Sequence, residues 1–218
     1  MAAQETTRRH RAGSIELLLL GLIGLALAGP VVTRLLGDHA RLATAAIILL
    51  DTIDAEPREF GFMVKPDGWE MSAKAGAVNG LTTEMLLAGG NPVSQVLDFY
   101  EACIRDGYHM AAYNAQFDGK MMRGEYRRAG RDDLFEITPN VCLMRAMMSA
   151  MKGQRAPGAK GFPKLAEAAA FVGYTLEDAH TAMADARAAL AVLRWLHARE
   201  ALPPATVHYA KDKPGAEA

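Results

Sequence analysis

"TAAIILLDTIDAEPREFGFMVKP", residues 44–66, is the stretch on which the fold turns. Its first half is an unbroken apolar run that ends at Asp51, the pattern of a strand buried on both faces. Its second half alternates through "REFGFMV" and then meets Pro66 and Gly68. That reads as another strand, hairpin-paired to the first.

Downstream the texture becomes helical. "TTEMLLAGG" is a short helix capped by Thr82 or Thr83 and ended by Gly89. "PVSQVLDFYEACIRDG" opens on Pro92 and puts Val96, Phe99, Tyr100 and Cys103 on one side. "YHMAAYNAQFD", residues 108–118, is a short strand and a turn. "GKMMRGEYRRAGRDD" is a helix with Met121, Met122 and Tyr126 inward. "NVCLMRAMMSAMKG", residues 140–153, is expected to be a helix with a core stripe at Leu143, Met144, Met147, Met148 and Met151. A Gly/Pro loop follows, with Lys152, Arg155, Lys160 and Lys164 around it, suited to a phosphate backbone or simply to solvent. Another helix begins near Lys164, and the last runs from about His180 to Arg199. This order predicts a mixed α/β domain over 41–200, with helices flanking a sheet, and a mobile tail over 201–218.

The 218 residues carry a net charge of −1, so bulk electrostatics announces no polyanionic partner, and any such contact needs a local basic patch. Cys103 and Cys142 are far apart and read as helix-embedded free thiols of a reducing, cytoplasmic compartment. No cysteine spacing suits zinc. Residues 1–40 are less ordinary. Arg8, Arg9 and Arg11 precede a stretch without charge from Leu17 to Thr33, short for a bilayer span of about 20 residues. Three readings stand: a signal or membrane anchor through residues 15–33, a buried strand or helix of the domain, or a start that is not the natural one. The anchor reading would make the protein membrane-bound or exported.

The chemistry gathers in two places. His180 and Asp185 would lie about 140° apart on one regular helix, too far to serve one site. If the helix begins just after His180, both can face one cavity at its mouth. Asn114 and Asp118 sit at the end of a strand and in the first turn of the next helix, where a carboxylate is favoured by the helix dipole.

"AYNAQFDGKMM" resembles the second motif of the histidine-bearing DEDD 3′–5′ exonucleases, and "AHTAMADA" fits that family's third motif, His-x-Ala-x-x-Asp. "FMVKPDGWEMSAKAGAVNGLTTEML" is similar to the family's segment after its third strand. The resemblance spans about residues 41–197. It implies a ribonuclease-H-like mixed sheet with helices on both faces, and hydrolysis of phosphodiesters at single-stranded DNA or RNA 3′ ends. It implies two Mg²⁺ or Mn²⁺ ions held by carboxylates, which suits Asp118 and Asp185, with His180 taking the proton from water. A DNA polymerase complex and a homodimer are the assemblies it raises, and Trp69 and Met71 are its candidates for wedging a 3′ base.

The family's first motif is Asp-x-Glu on the first, central strand. Asp51 is the tempting match and a candidate ion ligand, but Ile53 stands where the glutamate belongs. Only 13 residues, Thr52 to Val64, separate Asp51 from the close of the third strand. Two strands and two turns do not fit there. "TAAIILLDT" is therefore the second strand, and the first lies upstream in "SIELLLLGLIGL". Asp54, Glu16 or Asp38 could supply the missing acid; otherwise the chain is an impaired relative that binds nucleic acid or a polymerase-like partner.

Overall fold

The structure, a computed structural model, describes residues 17–24 as backbone, and 41–134, 138–177 and 181–207. Five strands form one sheet: β1 (Leu17–Gly24), β2 (Leu42–Leu50), β3 (Arg58–Met63), β4 (His109–Ala112) and β5 (Asn140–Cys142), in the order β3-β2-β1-β4-β5. β2 pairs antiparallel with both β1 and β3, while β1–β4 and β4–β5 are parallel. Among the described residues there are seven α-helices: α1 (Ala73–Asn79), α2 (Thr83–Gly89), α3 (Val93–Arg105), α4 (Ala115–Arg128), α5 (Leu143–Ala150), α6 (Leu165–Phe171) and α7 (Ala182–His197).

The unbroken apolar run of β2 has a simple cause. Successive side chains of a strand point to opposite faces, and here both faces are covered. Ala45, Ile47 and Leu49 meet α3 and α4 through Val96, Leu97, Tyr100, Met121 and Met122. Ala46, Ile48 and Leu50 meet α5 and α7 through Leu143, Met147, Ala186, Leu190 and Leu193. β3, at the sheet edge, buries no residue fully; Phe60 and Phe62 are half-buried on either side of exposed Gly61 and lie against Phe99 of α3.

Several expectations need correction. Residues 140–142 are not helical: they pair with β4 as a strand, so Cys142 sits on β5 while Cys103 lies in α3. Both thiols are buried and free. Helix α1, capped by the Ser72 hydroxyl on the Ala75 amide, is an addition. The tail is docked at its start, because Asn140 and Thr206 exchange backbone hydrogen bonds at 2.8 and 3.0 Å. The methionine stripe is core at Met147 and Met151, but Met148 is exposed. Of the apolar N-terminal run, the described part is a strand at the centre of the sheet, and the segments 1–16, 25–40 and 208–218 lie outside the described residues. No helix among the described residues is long and apolar enough to cross a membrane.

Candidate active site

Asp118 is set by the exit from β4. Asn114 breaks the strand with φ −120° and ψ 73°, and its carbonyl accepts the amides of Phe117 and Asp118 at 2.8 and 3.2 Å. The first turn of α4 thus starts after a two-residue link, Tyr113 and Asn114, and carries Asp118 buried, at 6% exposure. Asp185 is set by a different cap. The Thr181 hydroxyl accepts the Ala184 amide at 3.2 Å, and the Thr181 carbonyl accepts the Asp185 amide at 3.1 Å. Asp185 is half-buried in the first turn of α7. His180 directly precedes the Thr181 cap and lies outside the described residues.

The register places the two acidic turns at one end of the sheet. β4 runs parallel to β1, with Leu17–Leu19 beside His109–Ala111, so β4 ends level with Leu20 while β1 continues to Gly24. From the exit of β4, α4 travels toward the start of β2, where the Glu125 carboxylate accepts the Leu42 amide at 2.8 Å. Leu42 is paired with Gly24, so α4 passes over the C-terminal half of β1. On the other face, α7 begins with Met183 near Gly61 and lining a cavity with Thr44, Ala45 and Ala46, the partners of Ile23, Leu22 and Gly21. It ends with Arg194 donating to the carbonyls of Ile53 and Ala55, past the far end of β2. The starts of α4 and α7, which carry Asp118 and Asp185, therefore lie toward the Gly24 end of β1 on opposite faces of the sheet.

Asp51 does not join them. It follows Leu50, which pairs with Leu17, which in turn stands beside His109 at the start of β4. That is the opposite end of the sheet. There Asp51 is ion-paired with Arg58 at 2.7 Å and accepts the Tyr108 hydroxyl. It is withdrawn as an ion ligand for this site. Asp54, exposed in the turn beyond Asp51, lies at that far end too, and Glu16 and Asp38 lie outside the described residues.

Beside the Asp185 turn opens an apolar cavity of about 340 Å³, whose lining includes Phe62, Met63, Asn79, Leu81 and Met183. Trp69 and Met71 are not among its lining residues. Sequence reasoning gave neither Phe62 nor Met183 a site role: Phe62 opens the stretch similar to the family's segment after its third strand, and Met183, inside the third motif, reads as core stripe behind Asp185. Asn79 accepts the Leu81 amide at 3.0 Å, a local turn that shapes the rim.

The donor set decides what cation chemistry fits. Between the two acidic turns, β1 reads Leu-Leu-Leu-Leu-Gly-Leu-Ile-Gly, without one oxygen-bearing side chain. Among the described residues, no group of three or more His, Cys, Asp or Glu is placed to hold a metal ion. A two-ion centre does not fit these residues. Two carboxylates together with a substrate phosphate suit at most a single hydrated Mg²⁺ or Mn²⁺.

The exonuclease family model of the RNase T type matches residues 33–193, and the chain belongs to this exonuclease family. The match begins beyond β1. No curated protein sequence matches the chain. Its fold is similar to that of cell-death related nuclease 4 (TM-score 0.66, 13% identity, 86% of this chain and 65% of the other). It is also similar to the nuclease domain of 3'hExo, a DEDDh family member bound to rAMP (0.68, 12%, 88% and 97%). A third likeness is to E. coli Exonuclease I in complex with a dA16 oligonucleotide (0.61, 21%, 84% and 41%). The chain thus spans 65% of the length of the first and 41% of the last. The likeness shows a ribonuclease-H-like mixed sheet with helices on both faces.

Proposed function

We propose that this protein is a 3′–5′ exonuclease of single-stranded nucleic-acid ends, and a slow one. The observation that carries the reading is the match of the exonuclease family to residues 33–193; the start of α4 with Asp118 and the start of α7 with Asp185, both toward the Gly24 end of β1, support it. The apolar cavity beside Asp185 accepts the face of a terminal base, since stacking and apolar contact tolerate any base. That the structures of 3'hExo and Exonuclease I hold rAMP and dA16 supports a nucleotide-end ligand here.

In this reading Asp118 and Asp185 would hold a divalent ion, which would supply charge stabilisation at a phosphate oxygen. His180, one residue before the helix cap, accepts the proton of the attacking water; a general base of this kind contributes about 10²–10⁴-fold. The rate is low because β1 brings no carboxylate.

Incubating the full chain with 5′-labelled single-stranded DNA and Mn²⁺ tests this. The expected product is a ladder that shortens from the 3′ end and falls to background in Asp185→Asn and Asp118→Asn. A second reading, a binding module without catalysis, is favoured by the acid-free β1. It replaces the first if the wild type retains the oligonucleotide without shortening it, and equal shortening by the Asp185→Asn variant would remove the activity from this site.

A further inference from the structure

The loop between α5 and α6 is held in place by two buttresses. Arg155 grips Glu167 with two hydrogen bonds, at 2.7 and 3.0 Å, and donates a third to the Gly161 carbonyl at 2.6 Å. The Tyr113 hydroxyl donates to the Pro163 carbonyl at 2.8 Å. Gly161 takes a positive φ of 69°, a conformation that other residues adopt at a cost. The Arg155 hydrogen bond lowers the Glu167 carboxyl from its ordinary value, and the one acid in the first turn of α6 is engaged in the buttress.

What the buttresses present is a basic and aromatic surface. Lys160 and Lys164 are exposed on either side of Phe162, a large apolar ring that is 48% exposed, and Arg145 of α5 approaches that ring at 6.0 Å. An exposed phenylalanine between lysines is a poor solvated loop but a good platform for stacked bases and their phosphates. The loop is tied to the candidate site, because Tyr113, which holds Pro163, is the residue before Asn114, which starts the turn carrying Asp118.

We propose that Lys160, Phe162 and Lys164 form a separate docking surface for the single strand upstream of the 3′ end, Phe162 stacking on a base and the two lysines meeting phosphates. This rests on the nucleic-acid reading above and extends it. Holding the carbonyls of Gly161 and Pro163 in advance lowers the ordering cost of binding.

The test is binding of a fluorescein-labelled oligothymidylate of about 15 nucleotides, enough to cover a site of ordinary size, across a salt series without added metal. Lys160→Gln/Lys164→Gln should make the salt slope shallower by about 1.4, at about 0.7 per lost phosphate contact. Phe162→Ala should weaken binding about tenfold with the slope unchanged. Arg105→Gln, at the far end of the sheet, should change neither. Wild-type binding with an unaltered slope in the double variant, or an equal change in Arg105→Gln, overturns the docking surface alone. A wild type that does not hold the oligonucleotide at low salt overturns both this surface and the reading beneath it.

Discussion

Glu125 shows how a single carboxylate positions the candidate site. It is buried, at 4% exposure, and accepts the Leu42 amide at 2.8 Å, at the point where the β1–β2 register shifts. Arg128 neutralises it at 2.6 Å. Glu125→Ala would leave the buried Leu42 N–H without its acceptor and take one partner from Arg128, at a cost of about 1–3 kcal/mol. Glu125→Gln keeps an acceptor and should cost less. Urea unfolding of the two variants reads the difference, and equal losses would show that packing, not the hydrogen bond, ties α4 to β2. A milder pair straps α7 to β3: Arg187 donates to both oxygens of Glu59, at 2.9 and 2.6 Å. That hydrogen bond holds the Glu59 carboxyl below its ordinary value of 4.5. A depressed carboxyl contributes stability above its unfolded pKa and loses it as pH falls through the folded one. Glu59→Gln should therefore be less stable at pH 7 by under about 1 kcal/mol. The gap to wild type should close below pH 4.5, as followed by thermal melts in a pH series. A gap independent of pH would assign the effect to packing.

At the scale of elements, β1 is where family pattern and chain part company. The stretch level with both acidic turns runs from Leu20 to Ile23, and its apolar residues offer no ligand to a cation. Two alternate pairs of positions are available for acids: 20 and 22, opposite Ile47 and Ala45, or 21 and 23, opposite Ala46 and Thr44. Placing Asp and Glu on one of these pairs should tighten Mn²⁺ binding about tenfold or more, because affinity follows ligand charge and count. Titration calorimetry reads the affinity and the oligonucleotide ladder reads the rate. No gain from either pair would show that β1 is not the strand from which acids are missing. The elements flanking β1 were legible because each carries a long pattern: the apolar run of β2, the alternation of β3, the cap at Thr82, the stripes of α3 and α4. β5 was not, since the three residues Asn140–Cys142 are too few to show a period of two and merge with the stripe of α5. Asp118 could be read from its place after a strand. The displacement of Asp51 could not, because it depends on which end of β4 the end of β2 meets, and only the register tells that.

The dependence of the sheet on β1 can be tested by truncation. β2 and β3 lie on one side of β1, β4 and β5 on the other, and β1 is the only ladder joining the two pairs among the described residues. Both cores cross this seam. One buries Ala45 and Ile47 of β2 with Met110 of β4, and the other buries Ile48 of β2 with Ala111 of β4 and Val141 of β5. An appended leader or anchor could be removed without touching either core. A central strand could not, because its loss opens two strand edges and exposes the apolar faces on both sides. A chain beginning at Arg41 should therefore lose its single cooperative unfolding transition and bind a dye for exposed apolar surface. Adding back a peptide spanning 14–25 should restore part of the transition. If the shortened chain melts at the temperature of the full one, β1 is dispensable, and with it falls the frame that sets Asp118 and Asp185 on either side of a shared strand.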